Sequence, residues 1–123
     1  ICSPLSAPTP EGISHNMEMA KFYLVRMKQI YHCRTFASHA HLPLMLDDTI
    51  PEERTAALRI GIELMKICNV LIICGRYVSE GMKSEIRKAF EMGMEVFWYD
   101  SNEKPFDLIQ IESWKEITDE MSA

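Results

Sequence analysis

Ser79, Gly81 and Glu85 are the residues of this chain whose types and spacing offer the most chemistry. They lie in the stretch Gly75-Arg76-Tyr77-Val78-Ser79-Glu80-Gly81-Met82-Lys83-Ser84-Glu85, directly after the apolar run Val70-Leu71-Ile72-Ile73-Cys74. A buried strand followed by a short loop and a helix start is a place where an anion can bind. Ser79 can cap the helix, and Gly81 lets a ligand approach the first-turn N–H groups. Arg76 and Lys83 add positive charge nearby. Glu85 follows about one turn later, where a carboxylate can act as a nucleophile or stabilise a sugar cation. The same spacing also describes a capped surface helix with Glu85 in a solvent ion pair.

Other candidates are weaker. His39 and His41 flank Ala40. Such a pair can contact a base or sugar, or be a plain loop pair, and no obvious third residue completes a metal site. Asp47-Asp48 can bind a hydroxyl or a cation, or simply be solvated. The five glycines form neither G-x-G-x-x-G nor a P-loop, which argues against a dinucleotide-binding or Walker-type enzyme. No metal and no cofactor is expected. The four cysteines, Cys2, Cys33, Cys68 and Cys74, include no C-x-x-C pair and read as buried, reduced thiols of a cytoplasmic protein.

The elements that must position these residues follow from periodicity. Ile1-Cys2-Ser3 reads as the end of a first strand, and residues 4–13, with three prolines and a glycine, as a loop. Asn16 can cap a helix running to about Tyr31 or His32, with Met17, Ala20, Tyr23, Leu24 and Met27 at helical spacing. Residues 34–38 are a short strand candidate. Pro51, followed by Glu52 and Glu53, opens a helix with an apolar face of Ala56, Ala57, Ile60, Leu64 and Ile67. The run 70–74 is a strand apolar on both faces, suited to the middle of a covered sheet. A helix over 81–92, a strand over 96–99 and a last helix opened by the capping box Ser113-Trp114-Lys115-Glu116 complete the order. Alternation of strands and helices predicts a doubly wound parallel sheet of four or five strands, a Rossmann-like or flavodoxin-like three-layer fold with helices on both faces. Its ligand loops, at the carboxyl ends of the strands, are 3–10, 38–42, 75–84 and 100–103.

Length and composition bound the function. The 123 residues fit one domain, 1–123. Apolar residues make up 47% and charged residues 25%, as in ordinary globular proteins, and the nine methionines fall mostly at core spacing. A net charge of -5 with interspersed signs argues against a duplex nucleic-acid binder. No run is long enough to span a membrane, and there is no signal-peptide pattern. The chain opens at Ile1 without a methionine, so a short N-terminal piece is expected to be missing.

The motif Ser79-x-Gly81-x-x-x-Glu85, leading to Ala89-Phe90-Glu91-Met92-Gly93-Met94-Glu95-Val96, resembles the signature of the nucleoside 2-deoxyribosyltransferase-like superfamily. Ile1-Cys2-Ser3-Pro4-Leu5 is similar to its first strand and glycone loop. An uncharacterised, often phage-associated branch looks closer still, through Ser38-His39-Ala40-His41-Leu42, Leu46-Asp47-Asp48 and Pro51-Glu52-Glu53-Arg54. The resemblance covers most of residues 1–100. It implies cleavage of an N-glycosidic bond in a nucleoside or nucleoside 5'-monophosphate, by transfer or hydrolysis, with Glu85 as nucleophile. Ser79 and the Gly81 N–H would hold the 5' end. Ser3, Pro4, Leu5, His39, His41, Gly75, Arg76 and Met82 would complete the substrate site. Gly61 stands where such enzymes carry an aspartate, and Asn69 where the strand often opens with Asp; the lost acid implies an altered substrate, a replacement such as Asp47, Asp48 or Glu63, or a protein that binds without turning over. The alternative is a module on the same fold that binds a nucleotide or an ADP-ribose-like ligand without cleaving it. Family members often complete their sites with a neighbouring subunit, and residues 42–46 form an apolar loop a partner can cover, so a homodimer or higher homo-oligomer is expected.

Overall fold

A computed structural model describes residues 1–5, 7–42, 45–47, 49–75, 77–100 and 108–117. Helix α1 (Pro10–Tyr31) begins earlier than Asn16. Thr9 is its N-cap, accepting from the Gly12 N–H at 3.1 Å, and Pro10 and Glu11 occupy first-turn positions that need no intrahelical donor and favour negative charge. Asn16 instead donates from Nδ2 to the Leu5 carbonyl at 2.9 Å and ties the N-terminal segment to the helix. A short helix α2 (Ser38–His41) and the longer α3 (Pro51–Met65) follow, the latter with Pro51 in its first turn as the sequence predicts.

The sheet corrects the expected architecture. In place of four or five parallel strands, the described residues contain three, in the order β1 (Val70–Ile73), β2 (Glu95–Tyr99), β3 (Leu108–Ile111). β1 and β2 are parallel, joined through helix α4 (Glu80–Glu91); β2 and β3 are antiparallel. The reason is chain length. Only residues 100–107 link β2 to β3, fewer than the dozen or so a parallel crossover needs, so the chain returns antiparallel. The sequence reading missed β3 altogether.

Two further strand expectations are reduced. The N-terminal segment forms one parallel bridge, Cys2 to Ile73: the Cys2 N–H donates to the Ile72 carbonyl and the Cys74 N–H to the Cys2 carbonyl, both at 2.8 Å. Pro4 has no N–H to continue the ladder. Residues 34–37 join no ladder, though Ala37 is extended; the Ile1 nitrogen donates to the Phe36 carbonyl at 2.7 Å. Beyond Ser113, whose N–H donates to Glu116, the chain makes a 3₁₀ turn (Trp114–Glu116) in place of the expected helix.

The sheet is nonetheless covered on both faces. Leu71, Ile73, Val96 and Ile111 point to α4, where Met82, Ile86 and Ala89 are fully buried against them. Ile72, Cys74 and Tyr99 point the other way, to Tyr23 and Met27 of α1. This alternation is the two-residue period of the strands, and it explains why β1 is apolar throughout.

Candidate functional site

Helix geometry decides what α4 presents outside the core. Residues 82, 86 and 89 form its buried strip, so Gly81, Ser84, Glu85 and Lys88, offset by one position, line the flank. On α3 the strip Ala57, Leu58, Gly61, Ile62 and Met65 faces the same space. Between them lies a cavity of about 740 Å³, within the usual range for small-molecule sites. Leu5, His39, Leu42, Met45 and Leu46 also line it, together with the charged Asp47, Glu53, Arg87 and Glu91.

Glu85 is half-buried, and its side chain lines the cavity. Burial pushes its carboxyl up from 4.5 to about 7, because the charged form loses hydration among apolar neighbours. Cys2 lies fully buried close by; burial first, and then the Glu85 charge, hold its thiol well above the ordinary range. Cys74, also buried, is pushed up to about 12. Neither thiol is a nucleophile at neutral pH.

Ser79 is the N-cap of α4. Its Oγ accepts from the Met82 N–H at 3.2 Å, and the Ser79 N–H donates to the Met82 sulfur at 3.4 Å. The Met82 side chain is packed in the core beneath the turn and has no exposed surface. Gly81 opens onto the cavity, and a Cβ added there would meet only Ser79 Oγ, at 4.0 Å. Lys83 pairs with Glu80 at 3.2 Å.

The N-terminal residues serve mainly as scaffold. Ser3 is buried, with an Oγ that has no hydrogen-bond partner among the described residues. Pro4 packs on Gly75, where φ is +114° and an added Cβ would sit 2.9 Å from Pro4 Cδ, so only glycine fits. Leu5 alone of the three lines the cavity. His39 donates from Nδ1 to the Ser3 carbonyl at 2.7 Å, which makes Nε2 an acceptor in the neutral ring. His39 thus reaches both the scaffold and the cavity. His41 closes α2, and its side chain, like Arg76 and Asp48, lies outside the described residues.

Of the expected site, Leu5, His39, Gly81 and Glu85 come together around one cavity, whereas Ser3, Pro4, Gly75, Ser79 and Met82 build its frame. Sequence reasoning missed the α3 wall as a ligand surface. The signal was present in the i, i+4 spacing of Ala57, Gly61 and Met65. Among the proposed replacement acids, Asp47 lines the cavity, its carboxyl held below the ordinary range by hydrogen bonds from the Thr49 hydroxyl (2.7 Å) and N–H (2.9 Å). Glu63 is exposed and pairs with Lys66 at 2.8 Å. Among the described residues no group of three His, Cys, Asp or Glu side chains is placed to hold a metal ion, and no helix is long and apolar enough to cross a membrane.

No curated protein and no solved structure matches this chain. A family profile described as "Domain of unknown function (DUF7768)" matches residues 1–99, a span that contains every residue lining the cavity. By that match over most of its length, the chain belongs to the DUF7768 family.

Proposed function

We propose that the cavity binds a nucleoside or nucleoside 5'-monophosphate and that Glu85 cleaves its N-glycosidic bond. The carboxylate bonds to the anomeric carbon as the carbon–nitrogen bond breaks and its electron pair leaves with the base. Water or a second base then takes the sugar and frees the carboxylate. The observation that carries this reading is the Glu85 carboxyl itself: it lines an apolar cavity, one turn from a helix start open at Gly81, and ionises near 7. A carboxylate stripped of water is a more reactive nucleophile than a hydrated one. Incubation with a panel of nucleosides and 5'-monophosphates, followed by chromatography for free base, tests it. Base release that is lost in Glu85→Ala supports the assignment; release that persists at full rate in that variant removes it.

A second reading, a module that holds a nucleotide or ADP-ribose-like ligand without cleavage, is favoured by Gly61. No acidic side chain lines the α3 wall from Ala57 to Met65. Ligand binding without base release from any substrate of the panel would decide for it. We also propose a homodimer or higher oligomer, since Met45 and Leu58, which line the cavity, are 67% and 59% exposed. The four free thiols accord with a cytoplasmic setting.

A further inference from the structure

Gly61 sits inside α3, where glycine is the least favourable residue for the helix after proline. Glycine in a helix interior commonly marks a close approach by another element. Among the described residues nothing approaches: a Cβ built on Gly61 meets no heavy atom of theirs within 4 Å. The open space belongs to the cavity, whose lining includes Gly61. The residues around it on the same face are Ala57, Leu58, Ile62 and Met65, none with a polar side-chain group. The glycine is therefore a notch in an apolar wall, with helix backbone at its floor. Leu58 on this wall and Met45, which also lines the cavity, remain largely exposed, and a ligand covering them would take apolar surface out of water.

We propose that Gly61 is a specificity-determining residue that seats an uncharged planar aromatic ring flat against the α3 backbone. The inference rests on the reading of the cavity as a ligand site, and it assigns the ring of the ligand to α3 and the sugar to the Glu85 side. A flat ring suits the notch because it contacts the exposed backbone and the flanking Leu58 and Met65 together. A side chain at position 61 would occupy the space the ring needs.

The test uses the neutral fluorescent probe N-phenyl-1-naphthylamine, titrated into the wild type, Gly61→Ala and Gly61→Leu, with adenosine and thymidine as competitors. The probe should bind the wild type with enhanced emission. Binding should weaken several-fold in the alanine variant and at least about tenfold in the leucine variant, the range over which small changes of pocket shape act. Thermal melting should stay at or above the wild-type temperature, because alanine and leucine both favour the helix more than glycine does. Should the leucine variant lose cooperative melting, the alanine variant decides. Equal probe affinity in the wild type and the variants overturns the proposal, as does failure of the wild type to bind the probe. A change in self-association by light scattering, with probe binding unaltered, overturns it too and assigns the glycine to a contact between copies. The nucleoside reading fails separately: if no nucleoside displaces the probe yet the leucine variant still loses it, the ring seat stands and the nucleoside assignment falls. If nucleosides bind both proteins equally, the seat falls and the nucleoside assignment stands.

Discussion

Glu85→Gln should make the protein more stable at alkaline pH and leave it nearly unchanged at acid pH. The folded state holds this carboxyl at about 7 and the unfolded chain near 4.5, so the folded state binds the proton more tightly. Below pH 4.5 the side chain is neutral in both states and costs nothing. As pH rises from 4.5 to 7 the unfolded chain gives up its proton first, and stability is lost. Above 7 the loss is complete. At about 1.4 kcal/mol per tenfold change in acidity, the displacement from 4.5 to about 7 corresponds to at most about 3 to 4 kcal/mol. Glutamine keeps the shape and removes the charge, so the difference between the two proteins isolates this group from all other titrations. Urea unfolding at intervals between pH 4.5 and 8.5 should show the curves together at the acid end and separated by up to about 3 to 4 kcal/mol at the alkaline end, equivalent to roughly 10 °C or more in melting temperature for a domain of this size. Parallel curves over the whole range would refute the reasoning, because they would mean that the Glu85 carboxyl is hydrated and the cavity does not desolvate it.

The same titration should appear in catalysis. Base release requires ionised Glu85, so its rate should rise with pH to a plateau above about 7, a profile a pH-rate series over the substrate panel would check. Ser79→Ala removes the N-cap of α4 and should cost about 1 kcal/mol in denaturant unfolding; a larger loss of affinity for monophosphates than for nucleosides would assign Ser79 to the 5' end as well. Gly75→Ala forces a left-handed backbone and a contact with Pro4, and should destabilise by more than about 1 kcal/mol by the same measurement. Iodoacetamide should label exposed Cys33 in the native protein well before buried Cys2 and Cys74, as peptide mapping would show.

Local patterns were legible where one element decides its own form. Pro51 with its two acids and the Ser79 cap ahead of a strongly amphipathic segment appear as expected, and the apolar run forms a strand over 70–73, because propensity, capping and periodicity act within a few residues. That strand stands at the end of the β1-β2-β3 order, flanked on its other side by one bridge to Cys2, and not in the middle of the sheet as expected. Helix α1 shows the limit even there. Thr9-Pro10-Glu11 is as good a helix start as Asn16, and the prolines of residues 4–13 masked it as loop. Glu85 stands one residue before Ile86, rotated by about 100° from it around the helix, and so lies at the edge of the buried strip of α4, where it lines the cavity.

The sequence by itself determined that a buried strand leads into a capped helix carrying Glu85, since those features depend on neighbours a few positions away. Only the tertiary structure decided the sheet and the cavity. Whether β3 pairs parallel or antiparallel depends on the length of chain back to β2, and whether residues 1–3 make a strand or one bridge depends on Pro4 meeting Gly75 across the fold. The ionisation of Glu85 near 7 is likewise absent from the sequence, because desolvation is set by what stands opposite: the α3 wall, some 25 residues earlier in the chain, with Gly61 open in its middle.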